Sequence, residues 1–507
     1  MLLVVPFAVS GCAGYAHQTA EMITAATAGS LDVALSSLES KNASSDKDIL
    51  YYLDKGELLR MKGVYNESRD SWLSADAVVR QWEDDAKTDP SKFFGELGSI
   101  LVNDTTRRYD GRDYEKVFLN VRLALDHIAL GDLSAARTEI TKMHEREATI
   151  AEFRSKELEA AVAKSAEKGI KATSFKELSG YPIETLDDPA VRALKNSYES
   201  AYGNFIAGFV YEALGEPSLA APGYRKAAEM RPNIPVIDDS LKNLDKNVAG
   251  RANSNTVDTL FVVESGLAPG IESVTLPIIL PIPTGHSFNV IATPLSWPVI
   301  RPDINAAVPS TMVVDDKTLP VAMLTDTNAM ARRALSDEMP SIIARSAIRA
   351  ISRGIAQAAI DTASARLSGN AALIGTLFGI VAKVATVATE VADERIWRTL
   401  PGYYSVARTS LAPGAHKIVI ATATGPQVRT IAISGPYAIV AIRLLGNNLY
   451  TSLPPVIAPP IVAIVEPSET NIKPAANTNV KTKGKTPVKG HIPVKGKKAM
   501  PNRAGDA

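Results

Sequence analysis

Few residues of this 507-residue chain have a type and spacing that could perform chemistry. The single cysteine excludes an internal disulfide, a cysteine-based zinc cage and an iron–sulfur cluster. No Gly-x-Ser-x-Gly nucleophile elbow occurs, and the six histidines are dispersed without the spacing of metal ligands. They are His17, His127, His144, His286, His416 and His491. The sequence therefore predicts a protein that is not an enzyme and that holds no cofactor and no metal ion.

The cysteine itself lies where it could carry a lipid. A short apolar run ends in small residues directly before it, as Val9-Ser10-Gly11-Cys12. This arrangement resembles the lipobox of a bacterial lipoprotein signal peptide spanning residues 1–12. The resemblance implies cleavage before Cys12, acylation of that residue and attachment of the protein to a membrane. The alternative is a lone buried cysteine behind a frayed apolar end.

The residue after the cysteine bears on the compartment. Ala13 stands where an Asp would favour the inner membrane under the sorting rule of such lipoproteins. The resemblance therefore implies the outer membrane, with the protein on its periplasmic face. A mature chain without a free thiol suits that oxidising compartment.

A second candidate site is the polar stretch 101–115, which lies between two predicted helices. Loops held by a rigid scaffold often carry function, so we expect this one to contact a partner. The candidate partner-binding residues are Tyr109, Asp110, Arg112 and Tyr114. An equally weighted alternative is a hydrogen-bonded connector that replaces a missing repeat.

The elements that must position these residues are helical from about residue 15 to residue 248. Three sets of residues share one spacing: a small residue, a turn Gly seven positions later and a second small residue five positions after that. This spacing fits the tetratricopeptide unit, a helix hairpin whose helices touch at the small residues. The sets are Gly56, Gly63, Ser68, Trp72 and Ala75; Ala124, Gly131, Ala136, Ile140 and Met143; and Gly208, Gly215, Ala220, Tyr224 and Ala227.

An array of such hairpins binds a protein partner through its concave face. Tyr51, Tyr52, Trp72 and Tyr224 are aromatic candidates for that face, although aromatic residues in these helices more often form the core. Residues 145–178, rich in Glu, Lys and Ala, predict a long solvated helix or a coiled-coil arm.

The second half changes character. Short apolar segments separated by Gly-Pro turns predict strands of an antiparallel sandwich over residues 255–450. A helical insertion interrupts them at residues 336–391. Within it, residues 370–391 are long enough to span a bilayer, but Lys383 lies inside the run, so a buried hairpin is favoured.

Two further segments are predicted to be a structural corner and a disordered tail. Residues 393–401, with Arg395 and Trp397, predict a braced corner in which an Arg stacks on the Trp and pairs with an acid. The Pro- and Lys-rich tail 454–507 is too polar to fold alone. From residue 470 it carries nine basic residues and one acid, a local charge of +8. Contact of this tail with the cell wall or anionic lipid and the absence of any specific target are both open.

The whole chain resembles a group of poorly characterised proteobacterial lipoproteins with a tetratricopeptide-like N-terminal half. The resemblance covers roughly residues 1–450. It rests on the lipobox, the stretch 103–115, the turn Gly266-Leu-Ala-Pro269 and the corner 393–401. It implies a location and an architecture and supplies no activity.

The sequence thus predicts a multidomain α + β protein: an all-α tetratricopeptide-like domain (residues 15–248), an antiparallel β-sandwich-like domain with a helical insertion, and a disordered basic tail. The expected function is a lipid-anchored periplasmic scaffold for protein–protein binding in envelope assembly or maintenance. Homo-oligomerisation is left open. The overall balance of 55 basic and 55 acidic residues argues against a nucleic-acid partner. The alternative function is a component of a secretion or pore-type complex with a membrane-inserting helical hairpin.

Overall fold

The computed structural model describes residues 15–44, 46–88, 109–167, 176, 180–251, 254–284, 287–302, 307–343, 345–346 and 391–452. The lipobox, the part of the polar stretch before residue 109, most of the helical insertion and the basic tail lie outside the described residues. The predictions made for them stay predictions.

The described helices belong mainly to the first half of the chain. They are α1 (Tyr15–Thr27), α2 (Leu31–Lys41), α3 (Ile49–Met61), α4 (Tyr65–Thr88), α5 (Asp113–Ala129), α6 (Leu133–Glu167), α7 (Pro189–Arg192), α8 (Ala201–Ala213), α9 (Pro217–Met230), α10 (Pro235–Lys242) and α11 (Leu244–Arg251). A 3₁₀ turn occupies Ile183–Thr185. Residues 327–343 are also helical. The predicted long helix is the second half of α6, which runs without a break from the second predicted hairpin.

The three predicted hairpins are confirmed as the pairs α3/α4, α5/α6 and α8/α9. The turn glycines Gly63, Gly131 and Gly215 have φ values of 77°, 84° and 75°. Glycine adopts this left-handed conformation at little cost, which lets the first helix end and the chain reverse. The sequence spacing therefore locates both the helix contact and the turn.

The small residues matter because the paired helices touch there. A Cβ placed on Gly208 of α8 would lie 2.6 Å from the ring of Tyr224 on α9. Gly56 of α3 faces the ring of Trp72 on α4 even more closely. Both rings are fully buried, so each glycine makes room for an aromatic residue of the partner helix.

A further hairpin, α1/α2, was not predicted. Its turn residue Gly29 has a φ of 85°, and Ala34, five residues later, is fully buried. The first small position of the pattern holds Met22 and not a small residue, so this hairpin does not show the spacing of the other three. Met22 and Ala34 belong to one apolar cluster with Leu445 of the last part of the chain.

The strands of the second half form three sheets. They are β1 (Val257–Ser265), β2 (Glu272–Thr284), β3 (Ser287–Val299), β4 (Thr311–Val314), β5 (Lys317–Pro320), β6 (Ala322–Asp326), β7 (Tyr403–Leu411), β8 (Gly414–Thr422), β9 (Gly425–Ile433), β10 (Tyr437–Leu445) and β11 (Asn448–Thr451). One sheet has the order β11-β10-β1-β7-β6, another the order β5-β4-β8-β9, and β2 pairs with β3. The pairing of β1 with β10 is parallel, and the other described pairings are antiparallel.

The two larger sheets pack face to face, as the predicted sandwich requires. Phe261 of β1 and Val440 of β10 share an apolar cluster with Ile418 of β8 and Ile431 of β9. The opposite face of the five-stranded sheet packs on the helices: the ring of Tyr404 stacks on Phe118 of α5, with centroids 4.8 Å apart. Helices, five-stranded sheet and four-stranded sheet therefore form three successive layers.

A buried ion cluster joins the helices to the five-stranded sheet. Arg122 of α5 bonds Glu57 of α3 at 2.7 Å and also pairs with Glu264 of β1. Arg443 of β10 lies 3.4 Å from Glu57. Burial disfavours the charge on Glu264, but Arg122 and Arg60 hold the pKa of its carboxyl below the ordinary value. Charges removed from water in this way must stay paired.

A second junction lies at the other end of the same interface. Arg408 of β7 donates to Glu212 of α8 at 2.5 Å and to Asp258 of β1 at 2.8 Å. It also bonds the Ser240 hydroxyl at 2.9 Å, and Tyr224 donates to Glu212 at 2.6 Å. The last helical hairpin is thereby fixed to the sheet.

We expect Gly208→Ala to lower the free energy of unfolding by about 1–3 kcal/mol, because the added methyl overpacks the contact with Tyr224. Gly250→Ala is the matched control, since Gly250 is also helical and its Cβ would meet nothing within 4 Å. Replacing that glycine should leave stability unchanged or raise it by about 0.5–1 kcal/mol. Denaturant titrations of both variants test this, and equal effects would contradict it.

Candidate partner-binding site

A cavity of about 570 Å³ opens at one edge of the helical layer. Its walls come from the loop that enters α5, from α6, from residues 196–198, from the 327–343 helix and from residues 392–395. Five segments of the chain therefore meet at this place. A volume of this size is typical of a binding cleft.

Three of the four predicted partner-binding residues line this cavity: Tyr109, Asp110 and Arg112. Tyr114 does not. It is the second residue of α5, with 0% exposure, and its hydroxyl has no hydrogen-bond partner. Tyr114 is therefore a packing residue in this structure, while the other three can be reached from the cavity.

The loop owes its shape to the buried carboxylate of Glu115. One oxygen of Glu115 accepts from the Tyr109 hydroxyl at 2.6 Å and from the Arg112 amide at 2.9 Å. The other oxygen accepts from the amide of Trp397 at 2.6 Å. Burial raises the pKa of this carboxyl, and the three donors oppose that shift. The polar stretch and the 393–401 corner are thus tied together by one side chain.

Two other segments also form hydrogen bonds with the 393–401 corner. Asp54 of α3 accepts from the Thr399 amide at 3.1 Å and from its hydroxyl at 2.7 Å. The Ala268 amide donates to the Leu400 carbonyl at 2.6 Å, so the 266–269 turn is bound to the same corner. Three segments that the sequence singled out separately therefore converge.

Arg395 stacks on a different aromatic ring from the one predicted. Arg395 does pair with an acid, Asp393, at 2.8 Å. Its guanidinium, however, lies over the ring of Tyr109, 5.2 Å from the centroid, and not over Trp397. Trp397 is fully buried and meets Trp72 edge to face at 6.2 Å. The stacking partner was wrong because the Tyr comes from a segment almost three hundred residues away in the chain.

The wall of the cavity is charged, and its charges are paired. Arg154 of α6 forms two bonds with Asp113, at 2.6 and 3.0 Å. Arg112 bonds Glu338 at 3.2 Å, and although burial disfavours its charge, Glu338 raises the pKa of Arg112 above the ordinary value. Such a wall offers matched positive and negative groups to a polar partner.

Lys116 is the least exposed cation of this wall, at 2%. Its ammonium lies 3.3 Å from the centroid of the Trp82 ring and 3.5 Å from Asp113. Burial lowers the pKa of Lys116. The sequence did not indicate Lys116, Arg154 or Glu338 as site residues. Lys116 could have been found, because it lies in the first turn of α5, directly after the predicted loop.

No group of His, Cys, Asp and Glu in the described part of the chain could hold a metal ion. The aromatic candidates for the concave face belong to the core: Trp72 and Tyr224 are fully buried and Tyr51 nearly so, while Tyr52 is half-buried. Cys12, the predicted lipidation site, lies outside the described residues. Among the described helices, none is both long and apolar enough to cross a bilayer.

No protein-family model matches this chain, and no curated protein matches it. The solved structures to which it is similar include a tetratricopeptide repeat protein from Parabacteroides merdae ATCC 43184. The match has 16% sequence identity, covers 45% of this chain and 97% of that chain, and has a TM-score of 0.12. The hairpins of the helical layer are defined by this chain's own turn glycines and helix contacts.

The titration of Asp54 gives a test of the corner. Burial raises the pKa of this carboxyl from 3.8 to about 7, despite the two bonds from Thr399. Because the folded protein holds this proton more tightly than the unfolded chain, the stabilising contribution is complete below about pH 4. It is lost as the pH rises through 7.

We expect Asp54→Asn to remove this loss. The amide oxygen can accept both Thr399 bonds and the variant cannot ionise, so it should gain stability over wild type from pH 4 to pH 8. At ~1.4 kcal/mol per pKa unit, the gain is at most roughly 4 kcal/mol. Guanidinium titrations at several pH values measure it. Parallel stability curves for the two proteins would contradict the assignment.

Proposed function

We propose that this protein is a scaffold that binds a protein partner at the cavity edge of its helical layer. Stacked helix hairpins are a common architecture for protein binding. The proposal is supported by which surfaces of the hairpins the rest of the chain leaves uncovered. The five-stranded sheet covers their inner face.

The inner helices of the hairpins are not available to a partner. Each of α3, α5 and α8 carries a charged residue paired with the five-stranded sheet: Glu57 with Arg443, Arg122 with Glu264, and Glu212 with Arg408. A partner would have to displace these buried pairs to reach the inner face. The expected docking through a concave groove is therefore replaced by docking at the edge.

The observation that carries the proposal is the cavity itself. It places Tyr109, Asp110 and Arg112 of the polar loop beside the 327–343 helix, with paired charges and aromatic rings on one wall. Tyr and Arg are the residue types enriched where proteins bind each other. A polar segment of a partner protein fits this surface.

We further propose that the scaffold is anchored to the periplasmic face of the outer membrane through acylated Cys12, in the service of envelope assembly or maintenance. The support is the sequence alone: the small residues before Cys12 and the Ala that follows it. Two acyl chains or more give stable attachment.

The docking site can be tested by photo-crosslinking in cells. Benzoylphenylalanine at Tyr198, on the cavity wall, should give a discrete adduct. The same group at Leu219 on α9, which is 43% exposed, or at Val428 on β9, which is 45% exposed, should give none. Ser155→Trp, which narrows the cavity from α6, should abolish the adduct, whereas Ser134→Trp on the same helix should not. An adduct that persists in Ser155→Trp would refute docking in the cavity.

The anchor has a separate test. Cys12→Ser should abolish the incorporation of labelled palmitate into the protein, because no acyl chain can then be attached. Mass spectrometry of the wild-type protein should find Cys12 as an acylated N-terminus. An intact Met1 without added acyl mass would rule the anchor out and leave the crosslinking result unaffected.

A further inference from the structure

The β2–β3 hairpin stands apart from the other sheets. Its strands have 13 residues each and pair with each other along their whole length, from Glu272↔Val299 to Thr284↔Ser287. Among the strands that the structure describes, no third strand joins them. At ~3.3 Å per residue, the hairpin is roughly 40 Å long.

The base of this hairpin is fixed in the protein core. Leu295 and Trp297 are buried in the main apolar cluster, and Leu276 packs against it. The Tyr181 hydroxyl donates to the Pro298 carbonyl at 2.9 Å. The register places Ile278 and Leu280 farther out on the same face as Leu276.

Prolines occupy the outer edges of both strands. Pro277 lies opposite Pro294, and since neither has an N–H, this is a non-hydrogen-bonded pair whose backbone groups point outward. Every second residue from this pair points outward too. All five prolines of the two strands fall at such positions: Pro277, Pro281, Pro283, Pro294 and Pro298.

The β2 edge cannot accept another strand in the usual way. Of the outward positions from residue 277 to residue 283 on β2, only Ile279 retains an N–H. Pairing with a second copy or with an extended peptide needs those donors. Prolines at such positions are a common protection against edge-to-edge association.

The hairpin is also free of charged side chains. From residue 273 to residue 300 the sequence contains no Asp, Glu, Lys or Arg. Charges resume at once on either side, where Glu272 and Arg301 form an exposed ion pair at 3.0 Å. Prolines also remove four of the eight outward N–H groups of the outer hairpin, so this segment suits surroundings that are less polar than bulk water.

We propose that the outer part of the β2–β3 hairpin docks into the interface of a lipid bilayer. Acyl chains cannot satisfy a backbone N–H, so removing donors from an edge favours entry into lipid. The outward carbonyls of both strands and the N–H groups of Ile279, Phe288, Val290 and Ala292 still need water or headgroups. The hairpin therefore lies at the boundary between headgroups and acyl chains. This contact is independent of any acyl group on Cys12.

The single cysteine makes a direct test available. In the full-length Cys12→Ser chain, which has no other thiol, Leu280→Cys carries an environment-sensitive nitrobenzoxadiazole label. Val428→Cys on β9 is the matched control. With vesicles of phosphatidylcholine alone, the label at position 280 should brighten several-fold and be quenched by spin-labelled lipid, and the label at 428 should not change.

Each other outcome overturns the proposal. No change at position 280 would exclude lipid contact. A change that requires phosphatidylglycerol would assign the binding to the basic tail. A change without vesicles that depends on protein concentration would indicate self-association of the hairpin.

A second pair of variants distinguishes loss of lipid contact from misfolding. In the Cys12→Ser chain, Leu280→Asp should weaken flotation with phosphatidylcholine vesicles by about tenfold or more, since a charge is costly in an apolar medium. Val428→Asp should not weaken it, and circular dichroism should show both proteins folded. Equal flotation of folded Leu280→Asp would also overturn the proposal.

Discussion

The structure depends on a buried cluster of opposite charges between its helices and its central sheet. Three cations and three carboxylates meet there: Arg60, Arg122, Arg443, Glu57, Asp126 and Glu264, all nearly or fully buried. Removing one member of such a cluster leaves a buried charge without its partner and typically costs about 3–5 kcal/mol. The cluster connects α3 and α5 with β1 and β10, so it fixes where the helical layer lies on the sheet. Helices and sheets consequently share one core.

The same constraint limits which surfaces of the helical layer are open. A repeat array of this kind usually offers its inner face to a partner. Here the chain's own sheet covers that face. Displacing the sheet would break the buried ion pairs of the cluster. In the proposed scaffold the partner docks instead at the edge, where Glu115 holds the polar loop and the 393–401 corner around a cavity. One buried arrangement of charges thus closes the inner face and leaves the cavity edge open.

Local patterns predicted much of this fold, and long-range contacts were beyond them. The spacing from Gly56 to Gly63 to Ser68 gives a hairpin because contact and turn are set by neighbours in sequence. Met22 in a small-residue position concealed one hairpin, and the four-residue strands β4, β5 and β11 were too short to give a signal. For the site, the sequence indicated the loop, but the partner of Arg395 and the burial of Tyr114 depend on segments far away in the chain. No pattern within one window contains that information.

The parallel pairing of β1 with β10 determines when the core can form during synthesis of the chain. The two strands lie about 180 residues apart, and β7, the other neighbour of β1, also comes late in the chain. Until those strands have been synthesised, β1 has no partner on either side, and Glu57 and Arg122 have no sheet to meet. A nascent chain that stops before residue 400 exposes the apolar inner helices to solvent, where they can aggregate. The helical layer can therefore complete its core only after the C-terminal strands have been synthesised.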